Sequence, residues 1–101
     1  MPQPIYKCYV LRWKEPWYQL SQDDRDRLLT QVNDSFQRVG GKNVIFCNSV
    51  WSSEAWLGFG VEEFPDIEAA QQHASDLLKF NWFQYVEAMS VLGTKDVDAP
   101  M

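Results

Sequence analysis

The stretch WLGFGVEEFPD, residues 56–66, joins a strand to a helix in the middle of the chain. Residues 56–64 carry the aromatic and β-branched side chains that favour a strand. Pro65 then ends the strand, and Asp66 is a favoured N-cap residue for a helix that we expect to reach Phe80. The stretch predicts a strand–helix unit, and the elements on either side of it decide the fold.

The elements around this unit are a strand over 5–13, a helix, a strand over 43–50 and a last strand over 81–93. The first helix has Ser21 as its N-cap and ends at Gly40–Gly41. The order βαββαβ with short crossovers predicts an α+β, ferredoxin-like fold. Such a fold has a four-stranded antiparallel sheet with two helices on one face.

The composition is that of one small globular domain. The chain has 101 residues, of which 46% are hydrophobic and 15% aromatic, and a chain of this length builds one core. We assign residues 1–93 to a single ferredoxin-like domain and residues 94–101 to a polar C-terminal tail. The start of the chain has no basic segment followed by a long apolar run, so we expect a cytoplasmic protein with no membrane partner.

The charges and the metal-ligating residues exclude two classes of partner. Nine Lys and Arg residues against 14 Asp and Glu residues give a net charge of -5, which repels a phosphate backbone. One His and two Cys residues are too few for the usual Cys/His zinc sites. We therefore expect no nucleic-acid partner, no metal and no cofactor.

The run GFGV, residues 58–61, resembles the base-stacking strand of RNA-recognition modules, which share the βαββαβ order. It departs from that motif where the module has a basic residue and a second stacking aromatic, because Leu57 and Val61 stand there. Glu62 and Glu63 add negative charge where a phosphate should run. We expect no RNA binding, and we expect the two glycines either to permit close approach of a neighbouring backbone or to leave space beside the sheet.

Both faces of the first and last strands are apolar. Two helices cover one face of a four-stranded sheet, so the other face needs a partner, and a second copy of the same chain is the simplest one. Alternation alone leaves open which set of side chains faces which way. We expect the helices to cover Tyr6, Cys8 and Val10. We expect a homodimer to form through the face with Tyr9, Leu11, Tyr85 and Met89.

The sequence resembles the dimeric α/β-barrel superfamily of ferredoxin-like proteins, and in particular small bacterial members of unknown function. The resemblance is carried by PWYQLSQDDR (16–25), EEFPD (62–66) and NWFQYVEAMSVLG (81–93). It implies that two sheets close a barrel, with a pocket between sheet and helices or inside the barrel. Relatives include cofactor-free monooxygenases, lactone isomerases and haem-binding enzymes, so the resemblance indicates architecture better than chemistry.

The candidate ligand-binding residues are mainly aromatic. Arg25, in the first turn of the first helix, can hold a carboxylate. Trp17 can cover a pocket or pack against the first helical turns. The full set is Tyr9, Trp13, Trp17, Arg25, Tyr85 and Met89.

Three residues are candidates for acid–base chemistry: Glu62, His73 and Glu87. The alternative for the two glutamates is a position near a strand end, where each is either solvated or paired with Lys7 or Arg12. The alternative for His73 is a half-exposed residue at the flank of the second helix's apolar stripe.

Two functions from different classes remain open. The first is a homodimer that binds a small apolar or aromatic molecule, such as a fatty acid, in a largely apolar pocket. The second is a cofactor-independent monooxygenase or isomerase that acts on a small aromatic or lactone-like substrate. Titratable groups that converge in the pocket favour the enzyme, and a dry pocket without them favours the binding protein.

Overall fold

The computed structural model describes residues 3–98. Its strands are β1 (Ile5–Trp13), β2 (Lys42–Asn48), β3 (Gly58–Phe64) and β4 (Val86–Gly93). Its helices are α1 (Glu15–Tyr18), α2 (Gln22–Arg38), α3 (Ile67–Lys79) and α4 (Trp82–Tyr85).

The strands form one four-stranded sheet in the order β2-β3-β1-β4. Every neighbouring pair of strands is antiparallel. The two long helices pack on one face, where Phe36 of α2 and Ala70 of α3 meet Ile5 and Phe64 of the sheet. This is the predicted α+β, ferredoxin-like architecture, and the prediction is confirmed.

The two long helices begin at the predicted caps. The Ser21 hydroxyl accepts a hydrogen bond from the Asp24 amide at 3.1 Å, and the Asp66 carboxylate accepts one from the Ala69 amide at 2.8 Å. Each bond satisfies an amide that has no partner within its helix. After α2, Gly40 has a φ of 83°, which glycine adopts without a steric penalty.

The last strand is shorter than predicted. The sequence predicts a strand over 81–93, but residues Trp82–Tyr85 form the short helix α4. Asn81 has a φ of 57°, a left-handed conformation that breaks the chain direction after α3. The Tyr85 carbonyl accepts a hydrogen bond from the Lys14 amide at 2.8 Å, and β4 begins one residue later.

The predicted assignment of the sheet faces is wrong. Ile5 and Phe64 are buried under the helices, so strand alternation places Tyr9 and Leu11 on the helix-covered face. Met89 pairs directly with Val10 and lies on the opposite, open face. The sequence could not separate the two sets because both are apolar. The residues expected under the helices lie on the open face: Tyr6, Cys8 and Val10.

The open face exposes large apolar side chains from three strands. Ile45 is 50% exposed, Phe59 42%, Met89 65% and Val91 73%.

Beyond β4, residues 94–98 form no helix or strand, and the end of the predicted tail, 99–101, lies outside the described residues. None of the helices within residues 3–98 has the length and apolar character that crossing a membrane requires.

Candidate functional site

A cavity of about 580 Å³ lies between the sheet and the two long helices. This volume is in the usual range for small-molecule sites. Its floor is the helix-covered face of the sheet. The polar residues that line it are Lys7, Tyr9, Asn33, Asn43, Glu62, His73 and Ser90. The apolar residues are Leu11, Trp13, Leu29, Val32, Phe36, Phe46, Leu57, Leu77, Trp82, Phe83, Val86 and Ala88.

The strand register divides the cavity floor into a polar end and an apolar end. At the polar end, Lys7 lies opposite Glu62, and Glu62 lies opposite Asn43. At the apolar end, Leu11 lies opposite Ala88, and Trp13 follows two residues along β1. We refer to Lys7, Asn43 and Glu62 as the polar end and to Leu11, Trp13, Ala88 and Trp82 as the apolar end.

Aromatic rings close the apolar end. Trp82 of α4 meets Trp13 edge-on, with ring centroids 6.0 Å apart. Trp17 of α1 stacks on Trp13 at 3.8 Å with an interplanar angle of 5°. The short helices that the sequence did not predict therefore hold two of these rings in position.

Gly58 and Gly60 let two rings lie against the floor. A Cβ atom on Gly60 would stand 2.7 Å from the Tyr9 hydroxyl and 2.9 Å from the Ile45 carbonyl oxygen. A Cβ atom on Gly58 would stand 2.7 Å from the Phe46 ring. The glycines of the GFGV run thus make room for Tyr9 and Phe46, as expected from the sequence, on the face that the helices cover.

A buried hydrogen-bond chain joins the two helices above the polar end. The Ser35 hydroxyl donates to Asp76 Oδ2 at 2.8 Å and lies 2.9 Å from His73 Nδ1. Because the hydroxyl proton is directed to Asp76, the hydroxyl accepts from His73, and Nδ1 carries the imidazole proton. His73 lines the cavity, and its Nε2 is left with a lone pair in this tautomer.

Burial keeps His73 neutral. It lowers the pKa of His73 to about 4, with a further decrease from the positive charge of Lys7 and a smaller opposing effect of Asp76. The hydrogen bond from Ser35 is the main cause of a lowered pKa of Asp76, which stays ionised. Nε2 is therefore unprotonated at neutral pH, and the low pKa makes it a weaker base than an ordinary imidazole.

The pKa values of two further cavity residues, Glu62 and Tyr9, are raised, which favours their protonated forms. Burial raises the pKa of Glu62, and the charge of Lys7 opposes that rise. Burial, with a contribution from Glu62, raises the pKa of Tyr9 to about 12. Tyr9 therefore keeps its hydroxyl proton and can donate a hydrogen bond in the cavity.

The structure brings four of the predicted site residues together: Tyr9, Trp13, Glu62 and His73 all line the cavity. His73 differs from its expected half-exposed position, because it is 3% exposed. The buried side of α3 is not purely apolar. Leu78 is 67% exposed, while His73 and Asp76 are buried beside Ala70.

Five predicted site residues lie outside the cavity lining. Arg25 donates to the carbonyl oxygens of Trp17 and Tyr18, both at 3.2 Å, and its guanidinium lies 5.4 Å from the Trp17 ring. Arg25 and Trp17 thus stabilise the end of α1. Glu87 pairs with Arg12 at 2.6 Å, which is the ion pair that the sequence left as an alternative. The remaining two are Tyr85, in α4, and Met89, on the open face.

Sequence reasoning missed Ser35 and Asp76, which position His73. Ser35 follows Leu28 and Val32 at helical spacing, and Asp76 follows His73 by three residues. Ser35 and Asp76 are therefore polar residues on the buried sides of their helices. A polar residue at a core position needs a buried hydrogen-bond partner. This requirement could have indicated from the sequence that Ser35 and Asp76 bond to other buried polar groups.

No protein-family model matches the sequence, and no curated protein matches it significantly. Solved structures do share its fold. A dabb family protein with a ferredoxin-like fold from Mesorhizobium loti is 13% identical, with a TM-score of 0.61, over 93% of this chain and 98% of that chain. The hydroxynitrile lyase from Passiflora edulis is 14% identical, with a TM-score of 0.63, over 99% and 100% of the two chains.

A dimeric ferredoxin-like protein of unknown function from Thermobifida fusca is 15% identical, with a TM-score of 0.57, over 94% of this chain and 93% of that chain. Each likeness covers nearly all of both chains. At these identities the likeness shows a common fold and leaves the chemistry to be argued from the site.

Proposed function

We propose that this protein binds a small, largely apolar molecule in the cavity between its sheet and its helices. The observation that carries the proposal is the cavity itself, about 580 Å³ in volume and lined mainly by aromatic and aliphatic side chains. A ligand gains about 25 cal/mol for each Å² of apolar surface that it buries there. Medium-chain fatty acids and bicyclic aromatic molecules suit such a lining.

The test is a thermal-shift screen with a matched pair of variants. Ala88→Phe fills the apolar end of the cavity, whereas Ala74→Phe adds the same ring on the exposed side of α3. Fatty acids or bicyclic aromatics should stabilise the wild type and the Ala74 variant but not the Ala88 variant. Equal stabilisation of both variants, or stabilisation by sugars and nucleotides alone, would contradict the proposal.

The same proposal includes a homodimer formed through the open face of the sheet. In support, the open face exposes Ile45, Phe59, Met89 and Val91, while the helices cover the opposite face. Exposed apolar surface of this kind is typical of interfaces. The Thermobifida fusca protein, which has the same fold, is dimeric. A second copy packed face to face would hide these side chains from water.

A second candidate function is a cofactor-independent isomerase or monooxygenase, and the Ser35–His73–Asp76 chain favours it. His73 is a neutral base with a fixed tautomer at the cavity wall, and Lys7 is available for negative charge that develops on a substrate oxygen. The Passiflora edulis protein, which has the same fold, is a lyase. As an isomerase, the protein would use Nε2 of His73 to remove a proton from a carbon beside a carbonyl and to return it to a different atom of the resulting conjugated anion.

Deuterium exchange tests this candidate with a simple probe. 2-Tetralone is a bicyclic ketone with acidic protons beside its carbonyl, and NMR in D₂O follows their replacement. The wild type should accelerate the exchange, and His73→Gln should abolish the acceleration while still binding the ketone. Equal exchange with both proteins would remove His73 as the base and leave the binding proposal intact.

A further inference from the structure

The polar end of the cavity holds a side-chain cation, Lys7, that forms no salt bridge among the described residues, although Glu62 lies opposite it in the strand register. Lys7 is the one Lys or Arg among the described residues that line the cavity. Within residues 3–98 the salt bridges join other pairs and leave Lys7 without one. Its Nζ lies 5.9 Å from the centre of the Tyr9 ring. A partly buried ammonium in this position favours a nearby anion.

The neighbours of Lys7 add hydrogen-bond donors. The Tyr9 hydroxyl keeps its proton, because its pKa is raised to about 12. Asn43 lies one strand beyond Glu62 and contributes an amide group to the cavity. Burial raises the pKa of Glu62, and the negative charge of a bound anion would raise it further, toward the neutral form that can donate a hydrogen bond. The polar end is thus suited to an acceptor that carries a negative charge.

The apolar end lies at the far end of the same strand. From Lys7 to Trp13 the strand advances six residues, about 20 Å at the usual rise per residue. Leu11, Ala88 and Trp82 line this end with Trp13. A long molecule therefore meets charge at one end of the cavity and aromatic rings at the other.

We propose that the cavity binds an amphipathic molecule in one orientation, with a carboxylate or similar oxyanion head group at Lys7 and its apolar body directed toward Trp13 and Trp82. This inference rests on the proposed binding function and adds to it the charge of the ligand and its direction. An ammonium head group would face Lys7 with a like charge and should be rejected.

Calorimetric titration with three eight-carbon probes tests the head group. Octanoate should bind the wild type more tightly than 1-octanol, and octylamine should bind least. Lys7→Met should weaken octanoate binding about tenfold or more, as expected for the loss of a charged hydrogen bond, and leave 1-octanol binding unchanged. The control Lys42→Met removes the same charge from an exposed site outside the cavity lining and should change neither affinity.

Bromine quenching tests the orientation. The sequence has five Trp residues. Trp13 and Trp82 line the apolar end of the cavity, and no Trp belongs to the polar end. Octanoate with bromine at carbon 8 should quench tryptophan fluorescence more strongly than octanoate with bromine at carbon 2. Equal quenching, or the opposite order, would overturn the orientation.

The outcomes separate this inference from the function on which it rests. If octanoate and 1-octanol bind equally, and Lys7→Met affects neither, the head-group inference is wrong while the cavity still binds apolar ligands. If the wild type binds none of the probes, and the thermal-shift screen finds no ligand, the proposed function itself fails. If Lys7→Met weakens octanoate binding and Lys42→Met does not, the head-group inference and the proposed function are both supported.

Discussion

The Ser35 hydroxyl of α2 lies 2.9 Å from Nδ1 of His73 on α3, and this hydrogen bond joins the two helices above the cavity. Ser35 is fully buried and His73 is 3% exposed. Water therefore cannot replace either partner at low cost. The bond contributes to stability and also fixes which imidazole nitrogen carries the proton.

Replacing Ser35 with Ala should lower the free energy of unfolding by about 1–3 kcal/mol, because Nδ1 of His73 loses its acceptor and Asp76 loses a donor. Urea unfolding followed by circular dichroism measures the change. Ser75→Ala, on the exposed side of α3, should stay within about 0.5 kcal/mol of the wild type. A Ser35 variant as stable as the Ser75 variant would show that the buried chain adds nothing.

Stability should fall as the pH is lowered from 6.5 to about 4. The pKa of His73 is about 4 in the fold against an ordinary 6.5, so the unfolded chain binds more protons in this range. The loss approaches about 3 kcal/mol at 1.36 kcal/mol per pKa unit. Burial is the main cause of the lowered pKa of His73; the charge of Lys7 lowers it further and that of Asp76 raises it.

The matched variants for this prediction are His73→Gln and Glu62→Gln. His73→Gln should remove the decrease between pH 6.5 and 4. The raised pKa of Glu62 acts with the opposite sign, since it favours the fold at low pH and is lost as pH rises. Glu62→Gln should therefore keep the decrease or steepen it. Parallel pH profiles for the wild type and His73→Gln would contradict the assignment.

Gly60→Ala should destabilise the fold by more than 1 kcal/mol, because its Cβ would approach the Ile45 carbonyl oxygen to 2.9 Å and the Tyr9 hydroxyl to 2.7 Å. The strand must shift, since a backbone atom is in the way. At Gly93 an added Cβ meets nothing within 4 Å, and Gly93→Ala should be neutral in the same urea titration. Equal stability of the two variants would show that Tyr9 does not need the space over Gly60.

Met89→Lys should dissociate the proposed homodimer, because it places a charge among the apolar side chains of the open face. Gln71→Lys adds the same charge on the exposed side of α3 and should leave the dimer intact. Sedimentation velocity at micromolar concentration distinguishes the two. A wild type that sediments as a stable, folded monomer would show that the open face has no partner copy.

The sequence predicts the fold well because its signals are local. Ser21, Asp66 and Gly40 mark helix ends through their own backbone chemistry. The order of elements then leaves few possible topologies. The break at Asn81 was missed, since a left-handed residue other than glycine has a weak sequence signal.

The site is less predictable, because it depends on which side of the sheet the helices cover. Tyr9 and Met89 both belong to apolar sets, and alternation cannot assign either set to a face. His73 looks like a boundary residue until Ser35, 38 positions earlier, is known to be its partner. Contacts between distant segments create the site, and single-segment patterns do not contain them.

Ala88 and Met89 are adjacent in β4 and point to opposite sides of the sheet, Ala88 into the cavity and Met89 to the open face. Methyl NMR during titration with octanoate therefore tests the central claim most directly. We predict that the Ala88 and Leu11 methyl signals shift and saturate while those of Met89 and Val91 do not. Shifts confined to Met89 and Val91, or none up to the solubility limit of the ligand, would contradict binding in the cavity.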